Sequence, residues 1–299
     1  MMSNEVSTKV IASVGIVGCG WLGSALAHQL KAQGVAVLAT RSNIENTEQL
    51  KSQGVDTAVL CLPADQALLN SHPIFKQQCL VIAITPQFRQ GRVDYAEKVK
   101  QLVESAKAGN CVEQIILLSS SAIYNGLSGQ VDEGIELDLS ADKVSVLNDA
   151  EQAVLNFNVN SDIESNANLA KRIAYVLRLS GLVGPNRHPG KFLLNGRMLK
   201  SPQAIVNLIH QHDAIGLIHA LLQSDIQGGI FNGVSSTQVT KKQYYQAAAI
   251  ALQLPAPSFE ESNLASASEP KIVSATKTRS ELNYSFVYDD LLNWLDQDE

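Results

Sequence analysis

Between Val14 and Leu179 the chain alternates short, continuously apolar runs with longer segments in which apolar residues recur every three or four positions. The runs VGIV (14–17), VAVLA (35–39), TAVLCL (57–62), LVIAI (80–84), QIILLS (114–119) and AYVLRL (174–179) predict six strands. They are apolar throughout rather than alternating, the pattern of parallel strands covered by helices on both faces. Helical patterns fill the gaps, among them LGSALAHQLKAQ, DYAEKVKQLVESAK and LNDAEQAVLNF. Strands separated by helical crossovers predict an α/β, doubly wound parallel sheet. After Gly184 the rhythm breaks. A Pro- and Gly-rich loop, PNRHPGKF, leads to a mixed region with a helix around 214–223, a strand at GIFNGV and a helix at KQYYQAAAIALQL. LPAPSFEESNLASASEP, rich in small residues, acids and prolines, reads as a long exposed loop. No internal repeat is present.

A chain of 299 residues with 45% hydrophobic content is long enough to bury a large core. The formal net charge of −6 gives no broad basic face for nucleic acid or an anionic membrane, so an anionic ligand has to be held by local groups. Cys19, Cys61, Cys79 and Cys111 are widely spaced with no CxxC pair. Neither a metal site nor a disulfide framework is expected, and reduced thiols fit a cytoplasmic protein. The amino-terminal MMSNEVSTK has no apolar core of a leader, and no run approaches the ~20 residues of a membrane span.

The segment VGIVGCGWLGSALAHQL sets Gly18, Gly20 and Gly23 in G-x-G-x-x-G spacing, directly after a strand and opening a helix. In that context the first glycine allows a tight turn, the second lets a diphosphate approach the backbone, and the third lets helix and strand pack closely. The amides opening the helix, at Trp21 and Leu22, would face the anion. The second strand ends in ATRSN, with no acid to accept the ribose hydroxyls of NAD. Thr40, Arg41 and Ser42 suit a 2′-phosphate instead, which favours NADP over NAD, although Arg41 also reads as a solvated surface residue. Cys61 and Leu62 should lie near the adenine, and Thr85 and Pro86 near the ribose. Ordinary packing at strand exits would leave the same residues there.

Taken in order, VGIVGCGWLG, LLSSSAIYNG, QVDEG, RLSGLVGPNRHPGKF, VNLIHQHD and GIFNGV make nearly the whole chain resemble the short-chain dehydrogenase/reductase superfamily. The likeness is to its NAD-dependent epimerase/dehydratase family, and within that to atypical YeeZ-like members. The resemblance implies a Rossmann-type NAD(P)-binding domain at 1–183 with return contributions from about 205–235, and a smaller C-terminal α/β substrate domain at 184–299. It also implies a nicotinamide cofactor and a small polar or nucleotide-sugar-like substrate. In that family a Ser or Thr four residues before a Tyr binds substrate, which matches Ser120. A Tyr-x-x-x-Lys pair follows on the next helix, with an acid four residues after the Lys. If Glu151 is that acid, the Lys position holds Leu147 and the Tyr position Lys143. No tyrosine occurs between Tyr124 and Tyr175, so the absence does not depend on register.

The substitution matters chemically. The tyrosine exchanges a proton with substrate, and the ammonium lowers its pKa so that it works near neutrality. Leucine does neither, and a lysine with a reference pKa of ~10.4 is a poor base at pH 7. Ser120 and Ser121 line a ligand pocket on one reading and cap the next segment on the other; Tyr124 either packs or serves as replacement acid. The resemblance places Arg187, His188 and Lys191 on a substrate-facing loop and Arg279 over the substrate, favouring an anionic group, while two prolines and a glycine equally suit a structural turn. Asp213 reads as a helix N-cap, His210 as a satisfied buried residue, and Asp132 with Glu133 as a solvated pair. The helices at 94–107 and 141–158 are where related proteins pair into homodimers, and their apolar faces also suit packing on the sheet. Two functions follow: an oxidoreductase or epimerase with a rearranged acid/base set, or a non-catalytic dinucleotide-binding sensor or interaction protein.

Overall fold

The computed structural model describes residues 11–158, 172–194, 198–260 and 269–297. The chain divides into two units. The first comprises Met1–Ser119, Ser145–Leu177 and Ile218–Ile230, the second Ser120–Val144, Arg178–Leu217 and Phe231–Glu299. Strands β1 (Ser13–Val17), β2 (Ala36–Arg41), β3 (Asp56–Val59), β4 (Cys79–Ile82) and β5 (Gln114–Ser120) are followed by β6 (Gln130–Val131), β7 (Ile173–Leu179), β8 (Gly181–Val183), β9 (Leu208–His210), β10 (Gly229–Gly233) and β11 (Ile272–Val273). The helices are α1 (Trp21–Ala32), α2 (Ile44–Ser52), α3 (Gln66–Ser71), α4 (Tyr95–Gly109), α5 (Asp142–Leu155), α6 (Gln211–Gln223), α7 (Lys241–Ala251), α8 (Thr276–Glu281) and α9 (Leu291–Trp294).

A seven-stranded parallel sheet runs in the order β10-β7-β5-β4-β1-β2-β3. Val14, Ile16 and Val17 of β1 and all four residues of β4 are buried, which is why these strands carry no polar alternation. The strand order reverses between β1 and β4, neighbours in parallel register from Val14–Cys79 to Val17–Ile82. At such a switch point the crossovers leave to opposite sides and open a crevice at the strands' carboxyl ends. The observed sheet has one strand more than the six runs predicted, because GIFNGV supplies β10 at its edge. Two strands also stop short of their apolar runs. β3 ends at Val59 and β4 at Ile82, so Leu60–Leu62 and Ala83–Thr85 leave the sheet at its carboxyl edge.

In the second unit β8 pairs with β9 and β6 with β11, both in parallel. Val183, Val206, Tyr244, Ala248, Leu291, Trp294 and Leu295 form a core. A reciprocal capping box between Thr240 and Gln243 starts α7. The expected loop at 254–270 is described only to 260 and from 269, its middle lying outside the described residues; Phe259 makes an isolated bridge with Leu199. Among the described residues no helix is long and apolar enough to cross a membrane.

Candidate dinucleotide cleft

The glycine loop leaves β1 at the switch point. Gly18 has φ +84°, and a Cβ there would meet Ile84 Cγ2 at 2.8 Å and Ile84 N at 2.9 Å, so the position excludes a side chain on two counts. At Gly20 an added Cβ would find nothing nearer than Gly18 O at 3.9 Å, leaving the backbone open to a ligand. Gly23 brings α1 against β1: a Cβ would lie 3.3 Å from Ile16 Cγ2. Gly18 N donates to Thr40 Oγ1 at 3.3 Å and Cys19 N to Thr40 O at 2.9 Å, so β2 braces the loop. α1 begins with no side-chain cap on Gly20 and no acid in its first turn, which leaves its positive end uncompensated by local carboxylates.

A cleft of about 580 Å³ opens from this loop, walled by Gly18 and Gly20, Arg41 and Ser42, Leu60–Leu62, Ala83–Thr85, Gln87, Gln90, Arg92 and Lys98. Among the described residues the wall carries three cations and no carboxylate. Arg41 Nε is buried and meets no acceptor among the described residues. Cys61 Sγ donates to Ser42 O at 2.6 Å, joining the ends of β2 and β3. Of the residues expected at the cofactor, Gly18, Gly20, Thr40, Arg41, Ser42, Cys61, Leu62 and Thr85 line the cleft, while Trp21, Leu22, Gly23 and Pro86 do not. Thr40 is buried with its hydroxyl engaged by Gly18 N, so it supports the loop. Burial pushes the Cys19 thiol up to about 11 against the opposing pull of Arg41, leaving it protonated and inert.

Gln87, Gln90, Arg92 and Lys98 were not expected in the wall. Lys98 Nζ donates to Asp94 Oδ1 at 2.9 Å, and Arg92 Nη1 lies 3.7 Å from Asp94 Oδ2. The Lys98 hydrogen bond chiefly holds the Asp94 carboxyl below its ordinary pKa. One signal for Lys98 was in the sequence: it falls among Tyr95, Val99, Leu102 and Ala106, on the buried stripe of α4.

The serine cluster divides its work. In the first unit Ser119 Oγ donates to Glu151 Oε1 at 2.5 Å, both residues buried. In the second, Ser120 Oγ accepts from Ala122 N at 3.1 Å and caps the 3-10 turn Ser121–Tyr124. Ser121 is half-buried. Tyr124 is fully buried; its hydroxyl donates to Asn232 Oδ1 and accepts from Arg178 Nη1, each at 2.9 Å. Burial raises its pKa, with Arg178 opposing. Glu133 departs from the solvated pair expected: it is half-buried, accepts from Asn232 N at 2.7 Å, and burial raises its pKa, while Asp132 stays exposed.

The residues expected at the substrate take up separate contacts among the described residues. His188 Nδ1 accepts from Gly190 N at 3.1 Å and Nε2 faces Leu295 O at 3.2 Å, so the backbone uses both ring nitrogens. Arg187 N donates to Gly184 O within the loop, and Lys191 is exposed. Arg279 pairs with Asp289 at 2.6 Å and stacks 4.2 Å over the Phe286 ring. His210 is buried against Tyr288 at 3.9 Å between ring centroids. Asp213 is a turn anchor rather than an N-cap, accepting from Tyr284 Oη at 3.0 Å, Val287 N at 2.8 Å and Tyr288 N at 2.9 Å.

No family model matches the chain. Over 283 residues it is 31% identical to Protein YeeZ of Escherichia coli K12, an alignment covering 93% of this chain and 97% of that one. The chain belongs to the YeeZ family. Its fold is that of the NAD-dependent epimerase/dehydratases of the short-chain dehydrogenase/reductase superfamily. It is similar to a functionally unknown conserved protein from Silicibacter pomeroyi, with a TM-score of 0.73, 21% identity and 95% and 97% of the two chains covered. It is also similar to UDP-glucuronic acid 4-epimerase from Bacillus cereus, in complex with NAD, with a TM-score of 0.73, 16% identity and 95% and 96% coverage. At the two catalytic positions the resemblance called for, this YeeZ-family chain has Lys143, exposed at the start of α5, and Leu147, buried on the same helix.

Proposed function

We propose that the protein binds NADP in the cleft of its first unit and is an oxidoreductase or epimerase for a small polar, nucleotide-sugar-like substrate, using an acid/base set other than Tyr-x-x-x-Lys. The observation that carries the cofactor reading is the cationic cleft wall at the glycine loop, with Arg41 Nε buried and meeting no acceptor among the described residues. A guanidinium presents a planar fork of donors that matches phosphate geometry, and no acid at the end of β2 competes for it. The open backbone at Gly20 and the uncapped start of α1 fit the diphosphate. When bound, the nicotinamide supplies hydride transfer. The chain's own part is to hold the phosphates through Arg41 and the glycine loop, and to keep Thr40 behind that loop. Substrate-side groups, Ser120, Ser121, Arg187 and Lys191 among them, belong to the second unit, and the exposed Lys191 favours an anionic substrate, whereas the charge of Arg279 is taken up by Asp289.

Fluorescence titration of the purified protein with NADPH and NADH tests the cofactor reading. NADPH should bind more tightly by about tenfold or more, a difference of ~1.4 kcal/mol, and Arg41→Ala should abolish the difference. Saturable binding of neither dinucleotide ends the reading; equal binding of both ends the NADP preference. A second reading, a dinucleotide-binding sensor without turnover, is favoured by one observation: Leu147 is packed in the core and Lys143 is exposed, so neither supplies the usual proton transfer. NADPH consumption with nucleotide sugars separates the two, and its absence across such substrates favours the sensor.

A further inference from the structure

Helix α4 has a lysine where its buried stripe calls for an apolar residue. Lys98 is 8% exposed, lies one turn from the fully buried Tyr95 and Leu102, and forms part of the cleft wall. Removing an ammonium from water is costly unless its hydrogen bonds and charge are satisfied. Lysine has three donors, and the acceptor they meet among the described residues is Asp94 Oδ1 at 2.9 Å. That one carboxylate is shared with Arg92, and Asp94 itself is not part of the wall. Two cations of the wall therefore divide one negative charge, while Arg41 adds a third with no described acid at its side.

Position in the fold separates Lys98 from Arg41. Arg41 ends β2, on the ribose side of the glycine loop, whereas the segment running from β4 to α4 lies on the other side, because β1 is flanked by β2 and β4. In a sheet of this type the diphosphate sits at the switch point, over the start of the first helix. We propose that Lys98, held by Asp94, is a phosphate-binding residue that donates to the diphosphate of the bound dinucleotide, a task distinct from recognition of the 2′-phosphate by Arg41. This rests on the dinucleotide reading above. It assigns a cation from α4 to cofactor binding in a chain whose α5 presents Leu147 at the expected lysine position.

The full-length protein is titrated calorimetrically with NADPH, ADP and adenosine, in its native form and as Lys98→Met, which keeps the apolar stem and removes the charge. The variant should bind NADPH and ADP about tenfold more weakly, the loss of one charge-assisted hydrogen bond, with adenosine affinity unchanged; Lys98→Arg should recover most of the ADP affinity. Native-like ADP binding by Lys98→Met, or an equal loss for adenosine, overturns the proposal. If the native protein binds no dinucleotide, the function reading falls with it; if the native protein binds and Lys98→Met binds equally well, only the lysine assignment falls. A second measurement does not depend on the variant folding: amine acetylation of the native protein, read by mass spectrometry, should be slowed at Lys98 by ADP and not by adenosine. Unchanged labelling with saturating ADP counts against the proposal.

Discussion

His188 shows how a residue chosen for chemistry can be committed to scaffold. Its Nδ1 accepts from Gly190 N, which requires an unprotonated nitrogen, and its Nε2 must then donate to Leu295 O. The ring also packs 5.5 Å from Trp294. This is the neutral tautomer, and burial depresses the pKa below 6.5, with Lys191 adding to the effect and the backbone bond and Asp296 opposing it. Since the folded value is the lower one, the stabilisation is complete above the unfolded value and is lost as pH falls from there through the folded pKa. Urea denaturation should therefore show stability falling as pH drops below about 6.5, and His188→Asn should flatten part of that fall while leaving dinucleotide affinity unchanged. A pH profile identical to that of the native protein would remove His188 from the account. The sequence presented this histidine as a polar residue in a loop and Arg279 as a basic residue in a late segment, which is also how substrate ligands look. Their partners, Leu295 and Asp289, are 107 and 10 residues away. Glu133 misled in the opposite direction, because its neighbour Asp132 made it look solvated, and only the return of Asn232 shows that its carboxylate is engaged.

Among the elements, the β1–loop–α1 passage was the most legible, because each glycine answers a separate steric demand that its spacing encodes. Gly18 and Gly20 should fail differently when replaced by alanine. At Gly18 a methyl group adds a left-handed backbone conformation to a close contact with Ile84, so Gly18→Ala should cost about 1–3 kcal/mol of stability and lose the dinucleotide as a consequence. At Gly20 the methyl group meets no close protein atom, so Gly20→Ala should keep its Tm and lose affinity alone. Chemical denaturation beside NADPH titration reads both, and a destabilised Gly20→Ala would contradict the open cradle. The central strands were legible because burial on both faces leaves unbroken apolar runs. The short α2 was not: Thr47 and Leu50 are its buried residues, too few to mark a stripe, and its start depends on Asn43 accepting from Asn46 N. Lys98 was hidden by the converse effect. The apolar stripe of α4 identifies the helix, and one charge within it leaves the three- and four-residue spacing intact.

For the whole molecule, a net charge of −6 opposes the approach of a phosphorylated ligand, while the first unit concentrates Arg41, Arg92 and Lys98 around one cleft. Affinity then depends on local cations acting within about 8 Å, the screening length at physiological salt. The cysteines provide an independent readout of that cleft. Cys19 and Cys79 are buried, whereas Cys61 and Cys111 are exposed; Cys61 lines the cleft and Cys111 does not. A thiol reagent should thus label two cysteines in the native protein. NADPH at roughly ten times its Kd should slow labelling of Cys61 by about tenfold, because the reagent then reaches only the unliganded fraction, and leave Cys111 unchanged. Arg41→Ala should need more NADPH for the same protection without altering the rate seen in its absence. Protection of neither cysteine would mean that the ligand binds outside this cleft, whatever its affinity. Equal protection of both would point to a general tightening of the first unit. Selective protection of Cys61 would tie the cationic wall, the glycine loop and the end of β3 to one bound molecule.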